Sequence, residues 1–315
     1  MNTQEDQQEW LDGPSPADEW DLHATKRVLD ELFCFARQYR SSSRYHELLQ
    51  FVTRFRSYSP YNAMLVCTQM WGARFVAPAH RWARKYGRTV KVNARPLVIL
   101  QPMGPVMFVF DVSDTEPGPN AQPLPPDVTN PFAVRRGRVS HQWDVTIENA
   151  KRDGIRIQPR KEGSQSGGSI RRSHGGEMFF RTGADSGENP KGVHVPVRFD
   201  VLFNENSSKE SRYATLVHEL AHLYCGHLGT PNPKWWPDRR GLTGQSEEFE
   251  AESVAYLVCG RLGIETPSEQ YLAGYMRENG EVPNISIDLV MKSAGLIEQM
   301  GRERMKLRED RKRAT

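Results

Sequence analysis

The sequence feature that most constrains this chain is HELAH, which places His218, Glu219 and His222 in an apolar stretch, residues 214–225, without glycine or proline. Such a stretch favours a buried helix. Residues four apart lie on one face of a helix, about one turn apart, so both imidazoles can reach a single metal ion. Glu219 can then contact a water molecule bound to that ion. The alternative is a core helix with two structural histidines, but a buried histidine pair beside a glutamate requires polar partners.

A third metal ligand is expected downstream, because a catalytic zinc ion usually has three protein ligands and an open position for water. Residues 246–263 form a second helical run that carries Glu247, Glu248, Glu250 and Glu252. Glu248 and Glu252 are one turn apart and share a face. One of them can bind the metal while the other holds a ligand histidine through its second ring nitrogen. The alternative is a solvated acidic face at a helix N terminus, which best explains Glu247 and could explain Glu250.

The two helical motifs together resemble the ImmA/IrrE family of metallopeptidases. HELAH is followed by E-x-x-A-E-x-x-A at Glu248, Ala251, Glu252 and Ala255, at the distance that the family shows. The resemblance implies that Glu248 is the third ligand and that Glu252 supports a ligand histidine. The family usually has Asn or Asp at the position of Glu252, and Glu250 is the second candidate for the third ligand.

The motifs predict a zinc metalloendopeptidase with one Zn²⁺ per chain, held by His218, His222 and Glu248. The metal would lower the pKa of its bound water and polarise the scissile carbonyl. Glu219 would take the proton from that water and pass it to the leaving amine. By its resemblance to ImmA/IrrE proteins, the substrate would be one specific protein partner, with a repressor as one candidate.

An oxyanion partner is also required besides the metal. Tyr256, two turns after Glu248, is the candidate catalytic residue for this role, and Tyr224 and His227 are the alternatives.

A basic segment lies far upstream, at residues 71–100. It contains seven Lys or Arg residues and no Asp or Glu, with Trp71, Phe75, Trp82 and Tyr86 between them. Single-stranded nucleic acid needs cations for its phosphates and aromatic rings for its bases. The candidate nucleic-acid-binding residues are Arg81, Trp82, Arg84, Lys85, Arg88 and Lys91. The alternative is a basic surface over an aromatic core.

Residues 48–116 look like the N-terminal domain of ArdC-type antirestriction proteins. The resemblance is carried by YSPYNAMLVCTQ, KYGRTVKVNARPLVIL and PVMFVFDVSDTE, in that order. The family more often has KKGEK-like residues where this chain has residues 89–94. The resemblance implies single-stranded DNA binding, followed by a metallopeptidase-like domain. It also implies an alternative function, an antirestriction or DNA-binding protein whose zinc site is structural or is not used for proteolysis.

The predicted fold class is α+β, with a mixed helical and β N-terminal domain before a mainly helical, zincin-like metallopeptidase domain with a small sheet. The predicted divisions are a disordered tail at 1–18, the ArdC-like domain at 19–116, a proline-rich linker at 117–132, the peptidase domain at 133–301 and a charged tail at 302–315. Residues 199–203 are predicted to form the edge strand of the peptidase domain, where an extended peptide could add as a further strand.

Composition and cysteine usage favour a cytoplasmic protein without a membrane partner. The net charge of +3 is small, the sequence contains no run of 18 apolar residues, and its first ten residues are polar. The four cysteines, Cys34, Cys67, Cys225 and Cys259, show no CxxC spacing. Cys34, Cys67 and Cys259 lie in apolar helical runs and are typical of reduced core residues, whereas Cys225, three residues after His222, fits no standard ligand pattern. The motifs described above predict two partners, a protein or peptide substrate and single-stranded DNA.

Overall fold

The structure is a computed structural model of the chain, and it describes residues 39–101, 104–124, 137–161, 168–181 and 192–308. The fold class is α+β, as the sequence predicts: a mixed N-terminal region precedes a mainly helical region with small sheets. Among the described residues, no helix combines the length and the apolar character that crossing a membrane requires. The predicted tail at 1–18, residues 125–132 of the linker and the end of the chain after residue 308 lie outside the described residues.

The N-terminal region alternates helices with short strands. Its helices are α1 (Ser42–Arg54), α2 (Pro60–Gln69) and α3 (Ala79–Tyr86). Its strands are β1 (Val76–Ala77), β2 (Arg88–Val90), β3 (Leu97–Gln101), β4 (Gly104–Asp111) and β5 (Thr115–Pro117). The order β1-β4-β3 forms one antiparallel sheet, and β2 pairs separately with β5. Helix α2 begins where the sequence suggests, because Ser59 accepts a hydrogen bond from the first turn and Pro60 stands at a position that needs no N–H.

The C-terminal region places its strands before its long helices. The strands are β6 (Ile155–Arg160), β7 (Gly168–Arg172), β8 (Glu177–Arg181), β9 (Gly192–Pro196) and β10 (Phe199–Asn204). The helices are α4 (Gln142–Arg152), α5 (Lys209–Tyr224), α6 (Gly244–Leu262), α7 (Pro267–Glu278) and α8 (Ile287–Met300). Strand β8 pairs with β9, and the other three strands form a sheet in the order β6-β10-β7.

Strand β10 is the central strand of its sheet, so the expectation that residues 199–203 form an edge strand is wrong. It runs parallel to β6 and antiparallel to β7, with hydrogen-bonded partners on both sides. All six of its residues are buried. A strand covered on both faces favours apolar side chains, and β10 is apolar except for the buried Asp200 and Asn204. The edge position beside α5 belongs instead to β7.

Helices α1 and α2 share one hydrophobic core with α5, α6 and α8. The Tyr45 hydroxyl of α1 donates to the Ser253 hydroxyl of α6 at 2.9 Å. Arg261 of α6 donates to the carbonyl oxygens of Val52 and Tyr58, each at 2.6 Å. The N-terminal helices thus pack directly on the second motif helix, while the predicted division into domains stays a prediction.

The described cysteines, Cys67, Cys225 and Cys259, are buried free thiols. Cys34 lies outside the described residues.

Candidate functional site

Helix α5 carries the HELAH motif and presents its two histidines on one side. The helix begins after Ser208, whose hydroxyl accepts a hydrogen bond from the N–H three residues on. Leu216 and Leu220 are fully buried in the core. His218 and His222 are half-buried, with ring centroids 4.9 Å apart. The local geometry of the helix therefore places two imidazoles side by side.

The donor atoms of His218, His222 and Glu248 form a small triangle. The two Nε2 atoms are 3.2 Å apart. The Glu248 carboxylate reaches across from α6, with Oε2 3.5 Å from Nε2 of His218 and Oε1 3.5 Å from Nε2 of His222. One donor atom from each residue lies within 4.8 Å of the other two. Ligand atoms at the usual distance of about 2.05 Å from a tetrahedral zinc ion are about 3.3 Å apart. The two nitrogens thus have the spacing that one ion requires, with a carboxylate oxygen close to each of them. The Glu248 side chain is 52% exposed, which leaves one side of the triangle open to solvent.

Glu219 lies in the wall of the same site and is buried. Burial raises the pKa of Glu219 to about 7, and the charge of Glu248 adds to this rise. His218 and a hydrogen bond from the Ile170 backbone lower the pKa of Glu219 and only partly offset that rise. Ile170 belongs to β7, so the outer edge of this sheet faces the carboxylate that the sequence predicts as the general base.

The protonation states of His222 and Glu248 suit metal binding, whereas the raised pKa of His218 favours the protonated ring, which must lose a proton to bind an ion. Burial, together with the charge of His218, lowers the pKa of His222 to about 4. A hydrogen bond with His218 lowers the pKa of Glu248. Burial also lowers the pKa of His218, but the hydrogen bond with Glu248 and the charges of Glu252 and Glu219 outweigh it, so the net pKa is raised. At neutral pH His222 is a neutral imidazole and Glu248 an anion, the forms that bind a metal ion.

The other two glutamates of α6 take different places. Glu252 lies with Oε1 3.7 Å from Nδ1 of His218, the ring nitrogen that does not face Glu248. Its supporting role stays a prediction. Glu250 is fully buried and is not part of the triangle. Arg239 donates two hydrogen bonds to the Glu250 carboxylate. Glu250 also contacts His227, whose other ring nitrogen lies 3.0 Å from His222. Sequence reasoning missed this connection, because His227 and Arg239 belong to the loop between the two helices.

The tyrosines predicted near the site are engaged elsewhere. The buried Tyr224 hydroxyl donates to Asp153 at 2.8 Å. Tyr256 has a raised pKa through burial and through Glu269, so it belongs to a different charge environment. Tyr271 of α7 has a pKa raised by burial and then by the charges of Glu248 and Glu252. Its ring is 38% exposed. Sequence reasoning missed this tyrosine because no motif connects it with α6.

Trp82, predicted to stack on nucleic-acid bases, is a core residue. Its side chain is fully buried, and its indole N–H donates to the Phe110 carbonyl at 2.9 Å. Phe75 meets the Trp82 ring edge-on at 5.5 Å, and Tyr86 lies 5.2 Å from it. A ring without exposed surface cannot stack on a base, which corrects the expectation for Trp82.

The predicted basic residues lie on the surface around this small core. Arg84, Lys85 and Lys91 are exposed, whereas Arg81 and Arg88 are half-buried. The Arg88 guanidinium donates to the hydroxyl and carbonyl oxygens of Thr115, and the Lys91 ammonium donates to the Ser113 carbonyl. The exposed aromatic ring of the segment is Trp71, at 51%.

Two solved structures of the antirestriction protein ArdC from the R388 plasmid are similar to this chain. The metal-free structure is 14% identical, with a TM-score of 0.34, and the match covers 90% of this chain and 96% of ArdC. The Mn(II)-bound structure is 13% identical, with the same TM-score and coverage. No family model and no curated protein matches the sequence. The likeness is distant, so the chemistry of the site rests on its own donor atoms, and the resemblance to the ImmA/IrrE family stays a prediction.

Proposed function

We propose that this chain is a metal-dependent peptidase that hydrolyses a peptide bond in a protein partner. The observation that carries the proposal is the donor triangle of His218, His222 and Glu248 with the buried carboxylate of Glu219 beside it. Two imidazole nitrogens and one carboxylate oxygen are the ligand set of His2Glu zinc peptidases. The Glu248 side chain is half exposed, so that a water molecule and a substrate carbonyl can approach the metal site from this direction.

Zinc is the proposed metal, with one ion per chain. Imidazole and carboxylate donors suit zinc, and the 3.2 Å between the two imidazole nitrogens, with a Glu248 oxygen 3.5 Å from each, fits a four-coordinate ion with one open position. When bound, the ion would polarise the scissile carbonyl and acidify a water molecule.

Glu219 is the proposed general base. Its pKa of about 7 matches the pH at which it must accept and return a proton. The hydrogen bond from Ile170 holds its carboxylate against the edge of β7. An extended peptide that adds to this outer edge would bring its carbonyl groups to the same carboxylate.

The test uses a proteome-derived peptide library incubated with the zinc-loaded full chain, with new termini identified by mass spectrometry. Wild-type protein should cleave a defined set of sites. Glu219→Gln should keep one zinc per chain and lose at least about 100-fold in rate. His222→Ala should lose both metal and cleavage. Cleavage by Glu219→Gln at the wild-type rate would refute the role of the base, and uncleaved peptides with zinc-loaded wild type would refute proteolysis.

A second candidate function is single-stranded DNA binding in a protein that does not use its metal site for proteolysis. It is favoured by the exposed cations of Arg84, Lys85 and Lys91, in a segment that contains no acidic residue and that exposes the Trp71 ring. Exposed cations supply phosphate contacts, and an exposed aromatic ring supplies a stacking platform.

Fluorescence anisotropy with a labelled 30-nucleotide oligo(dT) tests the second function. Arg84→Ala with Lys85→Ala should weaken binding and reduce the slope of log K against log salt by about 1.4, because each lost contact with a single strand accounts for about 0.7. Arg277→Ala with Lys306→Ala removes two exposed cations elsewhere and is the matched control. Equal effects in the two double variants would show that net charge, rather than this surface, controls binding.

A further inference from the structure

A buried chain of hydrogen bonds runs from the metal triangle into the core. Nδ1 of His222 lies 3.0 Å from Nδ1 of His227, and Nε2 of His227 lies 2.9 Å from Oε2 of Glu250. The Arg239 guanidinium donates to both oxygens of Glu250, at 2.6 and 2.8 Å. The side chains of His227 and Glu250 are 2% and 0% exposed. The proposed catalytic roles use neither residue.

We propose that His227 is a positioning residue for the metal ligand His222, and that Glu250 and Arg239 hold His227 in the orientation that this role requires. The inference rests on the proposed metal site and names the residues that prepare it.

The direction of each hydrogen bond in this network follows from the groups at its two ends, the Glu250 carboxylate and the metal-facing nitrogen of His222. A carboxylate can only accept, so His227 must present its N–H on Nε2 towards Glu250. With that N–H on Nε2, His227 offers the lone pair of Nδ1, which accepts a hydrogen bond from Nδ1–H of His222. His222 is left with a lone pair on Nε2, the atom that faces His218 and Glu248. One acidic group in the core thereby selects the tautomer that can bind a metal ion.

Arg239 fixes the position of Glu250 in this arrangement. The paired guanidinium compensates the charge of Glu250 within the core and holds both of its oxygens. The backbone N–H of Ser286 donates to Glu250 as well, at 2.6 Å.

A second metal site is the competing explanation, because Cys225, His227 and Glu250 also bring three donor atoms together. Their chemistry opposes it. Both Glu250 oxygens accept hydrogen bonds from Arg239, whose charge would repel a cation. Burial raises the pKa of Cys225 to about 12, so the thiol keeps its proton, and it contacts the Ser293 hydroxyl at 3.4 Å. A protonated thiol is a poor ligand, which leaves the positioning role.

Zinc affinity of the full-length protein, measured by competition with a chromophoric chelator, tests the proposal. His227→Phe keeps a ring in the core but removes both nitrogens, and the affinity should fall by about 10- to 100-fold. His227→Asn places an amide oxygen near the position of Nδ1, where it can again accept from His222, and should restore most of the affinity. His80→Phe, which replaces an exposed histidine in α3, is the matched control and should bind zinc as wild type does.

A spectroscopic measurement on wild type keeps the proposal testable even if His227→Phe fails to fold. Long-range ¹H–¹⁵N spectra of the zinc-bound, histidine-labelled protein should show His222 coordinated through Nε2 with its proton on Nδ1, and His227 protonated on Nε2 alone. His227 protonated on Nδ1, or an unchanged zinc affinity in His227→Phe, would overturn the positioning role while the metal site stands. A wild-type protein that binds no zinc would overturn both.

Discussion

Arg261 offers a direct test of how the N-terminal helices are held against the motif helix α6. Its guanidinium, almost fully buried, donates to Glu298 at 2.6 Å and to the carbonyl oxygens of Val52, Phe55 and Tyr58 at 2.6 to 3.0 Å. Carbonyl groups at the end of a helix such as α1 lack intrahelical donors. Arg261 therefore compensates a buried carboxylate and also completes the hydrogen bonds at the end of α1 and in the turn after it.

Replacing Arg261 with Met should lower the free energy of unfolding by about 3 to 5 kcal/mol, the usual cost of removing one partner from a buried ion pair. The loss is a large fraction of the 5 to 15 kcal/mol of a typical domain, on the order of one third. Urea denaturation followed by circular dichroism would measure it, with m-values compared to detect any loss of two-state behaviour.

The matched control is Arg302→Met, because Arg302 contacts the same carboxylate at 3.3 Å but is 62% exposed. It should cost less than about 1 kcal/mol. Adding Glu298→Leu to Arg261→Met removes the uncompensated charge and should recover part of the loss. Equal effects of Arg261→Met and Arg302→Met would refute the argument that burial sets the strength of this contact.

Two further predictions concern the site itself. Against a peptide that wild type cleaves, Tyr256→Phe should keep the metal and leave kcat unchanged, because Tyr256 lies in a different charge environment from the donor triangle; a loss in kcat of about 10- to 1000-fold would return the oxyanion role to Tyr256. In the presence of a metal chelator, the free energy of unfolding of the wild-type protein should fall as the pH rises. The reason is that the pKa of Glu219 is about 7 in the folded state and near 4.5 in the unfolded state. The stabilisation by the protonated Glu219 side chain is complete below pH 4.5 and is lost as the pH rises through 7. The free energy of unfolding, measured by urea denaturation, should therefore fall by about 2.5 kcal/mol more between pH 5 and pH 8 in wild type than in Glu219→Gln. Equal differences in the two proteins would show that Glu219 has an ordinary pKa.

Packing across elements produced the differences between the sequence-based expectations and the structure. The composition of residues 71–100 predicts cations and aromatic rings in the same segment, but it does not indicate which rings are buried. Trp82 is one of the buried rings. A mostly apolar run such as residues 199–203, interrupted by Asp200, does not by itself distinguish an edge strand from a central one, and only pairing with β6 and β7 places it in the centre.

The sequence by itself determined the part of the site that lies within one helix. Spacing on α5 places His218 and His222 on one face with Glu219 between them, because the helix repeat is a local property of the backbone. The choice among the glutamates of α6 was decided by tertiary structure. The packing of α6 on α5 brings Glu248 to the donor triangle and Glu252 to the far side of His218, and it buries Glu250 against Arg239 and His227. That choice depends on where two helices and a loop meet, and helix periodicity carries no information about contacts between separate elements.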